Sequence, residues 1–168
     1  MVTQAEMKPQ FALREITPRT SDFIHLRKVA GGDPYPRVQR QLVGFGPELS
    51  KLRAMVKEKE IEKNIEFTGL LSRPEIFELM KRSKILVHPS KFEGFGYVFA
   101  EALVNGMNIV SFNVGCTQKH LKWFIAKDEQ DFINITQNLL TTKLNFTPVN
   151  LFPLDKTVEN YASIYGIK

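Results

Sequence analysis

Apolar positions along this chain fall into short blocks with two periods. Ile65 to Thr68, Ile85 to His88, Asn108 to Phe112 and Trp123 to Ala126 are short, mainly apolar runs that predict strands, and Val38 to Val43 predicts another, though Gln39, Arg40 and Gln41 make it less apolar than a central strand. Phe11-Ala12-Leu13 predicts one more strand ahead of them. Helical stripes lie between these runs. Phe23, Ile24, Leu26 and Val29 sit on a helical period that Gly31-Gly32 stops. Leu49, Leu52 and Val56 form a stripe at i, i+3, i+7, begun by the turn Gly44-Phe45-Gly46-Pro47. Ser72-Arg73-Pro74-Glu75 is a capping box that opens a helix through Arg82. Another helix follows the loop after His88 and stops at Asn105-Gly106. Cys116 to Leu121 predicts a short helix, and Asp128 caps one carrying Phe132, Ile133, Ile135, Leu139 and Leu140. After an irregular stretch from Asn145 to Pro153, Asp155 caps a last amphipathic helix with Val158, Tyr161 and Tyr165.

Strands alternating with helices through short loops predict an α/β fold. It is a Rossmann-like, doubly wound parallel sheet of about six strands with helices on both faces. Residues 1–10 read as a disordered or linker N-terminus and residues 11–168 as one domain. Sheets of this kind bind ligands at the carboxyl ends of their strands. Three loops at those ends carry unusual residues: Arg14 to Arg19, Gly44 to Glu48, and Ser90 to Gly96.

The last of these loops is the richest. Lys91-Phe92-Glu93-Gly94-Phe95-Gly96-Tyr97 leads from a strand into a helix, and Glu93 and Glu101 stand eight positions apart. Gly94 and Gly96 let backbone approach a ligand, and the helix start offers unpaired N–H groups and the positive end of a dipole to an anion such as a diphosphate. A tight turn is the plain structural alternative for the glycines, and a capping role is that for Glu101. A carboxylate accepts hydrogen bonds in pairs, so Glu101 suits the vicinal hydroxyls of a ribose and Glu93 those of a second ring. Two carboxylates beside an anion need cations to offset them. Arg14 and Arg19 are candidates, with exposed surface arginines as the alternative. Gly44 and Gly46 offer a second close backbone approach. His88 reads as a core or rim histidine, since nothing in the sequence partners it. His25 and His120 lack ligand spacing, so no metal site is expected.

Composition changes this picture little. The chain has 168 residues, is 43% hydrophobic and 24% charged, and carries a net charge of +5. That excess admits anionic partners, but the lysines from Lys51 to Lys63 alternate with glutamates, which fits a solvated helix face. No aromatic platform is interleaved with basic residues, so nucleic acid is not an expected partner. The single cysteine, Cys116, excludes an internal disulfide. The polar N-terminus and the lack of a spanning apolar run lead to the expectation of a cytoplasmic protein.

Taken together these residues resemble the C-terminal, donor-binding domain of GT-B fold glycosyltransferases, most closely glycosyltransferase family 4. Glu93-Gly94-Phe95-Gly96 through Glu101 looks like that family's E-x7-E signature. Val43-Gly44-Phe45-Gly46-Pro47-Glu48, Phe67-Thr68-Gly69, His88-Pro89-Ser90 and the ending from Phe152 to Tyr165 support it. The resemblance implies that Glu93 meets the donor sugar as the catalytic-site carboxylate. It implies that Gly94, Phe95 and Gly96 bring backbone amides to the sugar and diphosphate, and that Glu101 holds the ribose. Gly44 and Gly46 line the donor site, while Arg14 and Arg19 neutralise the diphosphate. The implied reaction moves a hexose from a nucleoside diphosphate, with retention and without a metal or cofactor, to a glycan or lipid-linked acceptor. The implied partners are the donor, an N-terminal Rossmann-like domain that this chain lacks and, through that domain, the inner membrane surface. Without that domain the isolated chain is expected to be inactive. A non-catalytic interaction module that keeps the fold is the alternative. Leu13 in place of a glycine, Asn108 in place of a proline and the short segment after Gly115 depart from the family pattern.

Overall fold

The computed structural model describes residues 23–28 and 38–166. The expected strand at residues 11–13, the N-terminal segment 1–10, the Gly31-Gly32 stop, Arg14 and Arg19 lie outside them. The elements run β1 (Phe23–Lys28), β2 (Val38–Val43), α1 (Leu49–Glu58), a single 3-10 turn (Glu62–Asn64), β3 (Ile65–Gly69), α2 (Arg73–Arg82) and β4 (Ile85–His88). They continue with α3 (Tyr97–Val104), β5 (Asn108–Ser111), β6 (Trp123–Ile125), α4 (Glu129–Thr141) and α5 (Leu154–Tyr165).

The six strands form one sheet in the order β3-β2-β1-β4-β5-β6. Pairing is parallel between β2 and β3, between β4 and β5, and between β5 and β6. β1 runs antiparallel to both β2 and β4. Because β1 opposes both neighbours, the other five strands point one way, and their carboxyl ends share one rim. That rim collects the loops after β2, β3 and β4.

Alternation along the central strands shows why helices cover both faces. Ile85 and Val87 of β4 lie with Leu52, Val56, Phe132 and Leu139 from α1 and α4 in one core. Leu86, between them, lies with Met80, Phe99 and Leu103 from α2 and α3 in the other. Every residue of β4 and β5 is buried, as central strands of a covered sheet must be.

Two expectations are overturned. Phe23 to Lys28 is a strand, where the apolar period suggested a helix. Its backbone fills the gap between β2 and β4 and pairs with both, and a six-residue apolar run does not separate the two periods. Cys116 to Leu121 is irregular after a turn at Gly115-Cys116, and not helical. There the Cys116 N–H donates to the Phe95 carbonyl (2.8 Å), which draws the segment along the β4–α3 loop instead of coiling it. The start of α5 is shifted slightly: Pro153 is the N-cap and Asp155 sits in the first turn.

The 145–150 segment is fastened by a buried ammonium. Lys122 Nζ donates to the carbonyls of Gly106 (2.8 Å) and Thr147 (2.7 Å). Burial pulls its pKa below the ordinary lysine value. Replacing Lys122 by Met strands both carbonyls, at about 1–3 kcal/mol for a buried group left unsatisfied. The expected outcome is a urea midpoint lowered by an amount equal to about 2 kcal/mol, with an unchanged slope. A midpoint equal to that of the unaltered chain refutes the fastening role.

α5 buries none of its residues. Leu154, Val158, Tyr161, Ile164 and Tyr165 are all exposed and recur at helical spacing on one side.

Candidate functional site

The β4–α3 connection is built as the sequence implied. β4 ends at His88, Pro89 stops the ladder, and the Ser90 hydroxyl donates to the Phe92 carbonyl at 2.6 Å to close a turn. Lys91 Nζ pairs with Glu129 of α4 at 2.7 Å. The chain then passes through Glu93, Gly94 and Phe95 to Gly96, the N-cap of α3.

Gly96 has φ 80°, a left-handed conformation that side chains resist, and a Cβ there would lie 2.6 Å from the Phe99 ring. Glycine is therefore required twice over. As N-cap it brings no side chain to the first turn, and no side chain caps α3 at all. The Phe99 N–H donates to the Gly96 carbonyl at 3.0 Å, and the N–H groups of Tyr97 and Val98 are left to a ligand or to water. Gly94 faces open space. Gly115 approaches the loop from the β5–β6 connection with φ 59°, and a Cβ on it would meet the Phe95 carbonyl oxygen at 2.6 Å and Glu93 Cβ at 3.1 Å.

Each glutamate has a partner from another element. Glu93 Oε1 stands 2.8 Å from His88 Nε2. His88 is 1% exposed and Glu93 22%. The sequence left His88 without a partner, so this pair is new. A histidine at the very end of a strand, just before a loop at the binding rim, was the available signal. Burial pushes the His88 pKa below 6.5, and the hydrogen bond and charge of Glu93 pull part of the way back. Unfolded, the imidazole titrates near 6.5; folded, it titrates lower. Between those values the unfolded chain binds the extra proton, so stability falls as pH drops through the window. Urea midpoints read from about pH 7.5 to about pH 5.5 are expected to decline, and His88→Gln to remove part of the decline. Equal slopes in the two proteins contradict this assignment.

Glu101 lies in the second turn of α3. Its Oε1 accepts from Arg73 Nη2 at 3.2 Å, and the Arg73 guanidinium sits 5.5 Å from the Phe77 ring centre. Arg73 was not singled out in the sequence. It opens α2 beside the Ser72–Glu75 capping box, where the helix dipole disfavours a cation. A residue that breaks a local rule in this way often has a tertiary role, and here the role is Glu101.

Thus Glu93, Gly94, Phe95, Gly96 and Glu101 come together on one loop and helix start. Gly44 and Gly46 lie on the same rim, in the loop after β2, but β1 separates that strand from β4. The Gly44 N–H donates to the Gly69 carbonyl at 3.1 Å, and a Cβ on Gly46 would meet nothing within 4 Å. Arg14 and Arg19, the expected phosphate partners, lie outside the described residues. Beside the loop, a cavity of about 1170 Å³ is lined by Lys91, Phe112, Asn113, Val114, Asp128 and Glu129. Several apolar side chains stand exposed on the rim itself: Phe45, Leu70, Phe92 and Tyr97. Among the described residues no three His, Cys, Asp or Glu side chains cluster as metal ligands, and no helix is long and apolar enough to cross a membrane.

The chain is similar to known proteins. The chain is 27% identical over 115 residues to the gpi3 subunit of phosphatidylinositol N-acetylglucosaminyltransferase from Schizosaccharomyces pombe, covering 66% of this chain and 25% of that protein. It is 32% identical over 74 residues to a 2-deoxystreptamine glucosyltransferase of Streptomyces kanamyceticus, covering 44% of this chain and 19% of the relative. The chain thus spans a quarter or less of the length of these curated relatives. Among solved structures, Anabaena Alr3699/HepE in complex with UDP-glucose superposes with a TM-score of 0.53 at 24% identity, over 60% of this chain and 30% of that one. A sucrose-phosphate synthase from Thermosynechococcus elongatus superposes with a TM-score of 0.55 at 19% identity, over 79% and 32%. At such identities the likeness establishes a shared fold, the GT-B type that the sequence resembles. A family model described as Glycosyl transferases group 1 matches residues 28–124, more than half of the chain and all of the β4–α3 site, and the chain therefore belongs to the glycosyl transferases group 1 family.

Proposed function

We propose that this chain is the donor-binding part of a retaining glycosyltransferase, which moves a hexose from a nucleoside diphosphate to a glycan or lipid-linked acceptor. One observation carries the reading: the uncapped N-terminus of α3 lies between two partnered carboxylates, Glu93 and Glu101. The diphosphate sits at the first-turn N–H groups, with the sugar toward Glu93 and the ribose toward Glu101. The helix end stabilises the leaving diphosphate as its charge develops, and Arg14 and Arg19 complete the neutralisation without a metal. Arg73 offsets the charge of Glu101 beside that anion. The two matched transferases named above and the UDP-glucose complex support a sugar nucleotide as the ligand.

The acceptor comes from elsewhere. Phe45, Leu70, Phe92 and Tyr97 on the rim, together with the bare face of α5, leave apolar surface that a facing domain covers. That domain is the N-terminal Rossmann-like half, which brings the acceptor and any contact with the inner membrane surface in the cytoplasm. Alone, this chain grips donor weakly and transfers little, because half of the positioning groups are absent.

Calorimetry of the 168-residue chain with UDP, GDP and ADP and their hexose esters tests the reading. Weak, saturable binding is expected for one of the three bases. The absence of heat with every ligand at millimolar concentration overturns it.

A further inference from the structure

We propose that His88 is a positioning residue for the donor sugar: its Nε2–H holds the Glu93 carboxylate in the orientation that meets the sugar hydroxyls. The inference rests on the sugar role proposed above for Glu93.

Glu93 sits on a loop without regular structure, and a glutamate there loses rotamer entropy whenever a ligand must order it. Two features remove that freedom before any ligand arrives. The first is the contact with His88, whose ring is itself immobile. It ends a fully buried strand, and it meets the Phe99 ring edge-on at 4.9 Å and 90°. The second is the close approach of Gly115 to Glu93 Cβ and to the Phe95 carbonyl, which walls the loop on the other side. A carboxylate carries only lone pairs, so the shared hydrogen belongs to Nε2. That bond engages Oε1 and leaves Oε2 of a half-buried carboxylate for the ligand. The arrangement resembles a metal-bound histidine steered by a carboxylate, with the roles reversed: here the buried imidazole steers the carboxylate that does the binding. A buried imidazole packed against Phe99 carries a desolvation cost, and the hydrogen bond to Glu93 offsets part of it.

Calorimetry on the 168-residue chain separates positioning from general structure. The quantity read is the sugar increment, the ratio of the Kd for UDP, GDP or ADP to the Kd for its glucose or mannose ester. His88→Leu is expected to cut the increment about tenfold, the size of one charge-assisted hydrogen bond, while the Kd for the bare diphosphate changes less than about twofold. His88→Gln, whose amide presents an N–H near the same place, is expected to keep most of the increment. If Glu93→Ala abolishes the increment and His88→Leu leaves it intact, the proposal is overturned while the donor reading stands. If Glu93→Ala leaves the increment intact, or none of the three nucleotides binds, the sugar role of Glu93 fails and takes the proposal with it. Long-range proton–nitrogen spectra of the His88 ring keep the proposal testable if His88→Leu does not fold. A single tautomer protonated at Nε2, altered by Glu93→Ala, is expected. A ring protonated only at Nδ1, or one indifferent to Glu93→Ala, overturns it.

Discussion

Phe99→Ala is expected to destabilise this chain by about 3–5 kcal/mol, a large part of the roughly 5–15 kcal/mol that holds a domain together. Phe99 is fully buried, and its ring is 4.8 Å from Trp123 and 4.9 Å from His88. Removing the ring opens a cavity between α3 and the sheet that the short β4 and β5 strands cannot close. It also removes the wall that keeps His88 aimed at Glu93, so donor binding should weaken even in conditions where the chain stays folded. A fall in the urea midpoint with an unchanged slope checks the first part. A loss under about 1 kcal/mol is the result that contradicts it, because only a surface or collapsed site behaves so mildly. The same ring explains the loop above it, since it occupies the space that a Gly96 Cβ needs.

Glu101→Ala should act in the opposite sense, with little effect on folding and a large one on binding. The Arg73–Glu101 pair is mostly exposed on the arginine side, so its loss is expected to cost less than about 1 kcal/mol of stability. A carboxylate that accepts from two ribose hydroxyls is worth about 1.5–3 kcal/mol, a roughly ten- to hundredfold rise in the Kd for nucleoside diphosphate. Calorimetry reads the Kd, and thermal denaturation reads the stability. If the Kd is unchanged while Tm drops by many degrees, Glu101 is an α3–α2 tie and not a ribose ligand.

Most of the fold was readable because its strands are short apolar runs between turn residues. Ile85 to His88 is apolar at every position until the histidine, and only a central strand covered on both faces needs that. The capping box at Ser72 and the Asp128 cap located α2 and α4 for local reasons, and the structure keeps both. Phe23 to Lys28 was misread because six residues fit either period, and its strand conformation depends on neighbours far away in sequence. Cys116 to Leu121 failed for a similar reason, since the carbonyl that holds the Cys116 N–H belongs to Phe95.

The site divides along the same line. Glu93, Gly94, Gly96 and Glu101 could be chosen from sequence because one continuous stretch carries them. The partners of the two glutamates could not. Arg73 reaches Glu101 across 28 positions, and that meeting depends on how α2 lies beside α3. His88 and Glu93 are only five positions apart, yet neither the helical nor the strand period pairs a strand end with the loop beyond it.

The most direct measurement of the central claim maps where a sugar nucleotide touches the chain. Backbone amide shifts, recorded while the preferred nucleoside diphosphate sugar is titrated in, are predicted to move at Gly94, Gly96, Tyr97 and Glu101, with Arg73 following as its pair with Glu101 is disturbed. Shifts confined to the cavity between Asn113 and Asp128, or to the bare face of α5, with the start of α3 silent, would contradict the account.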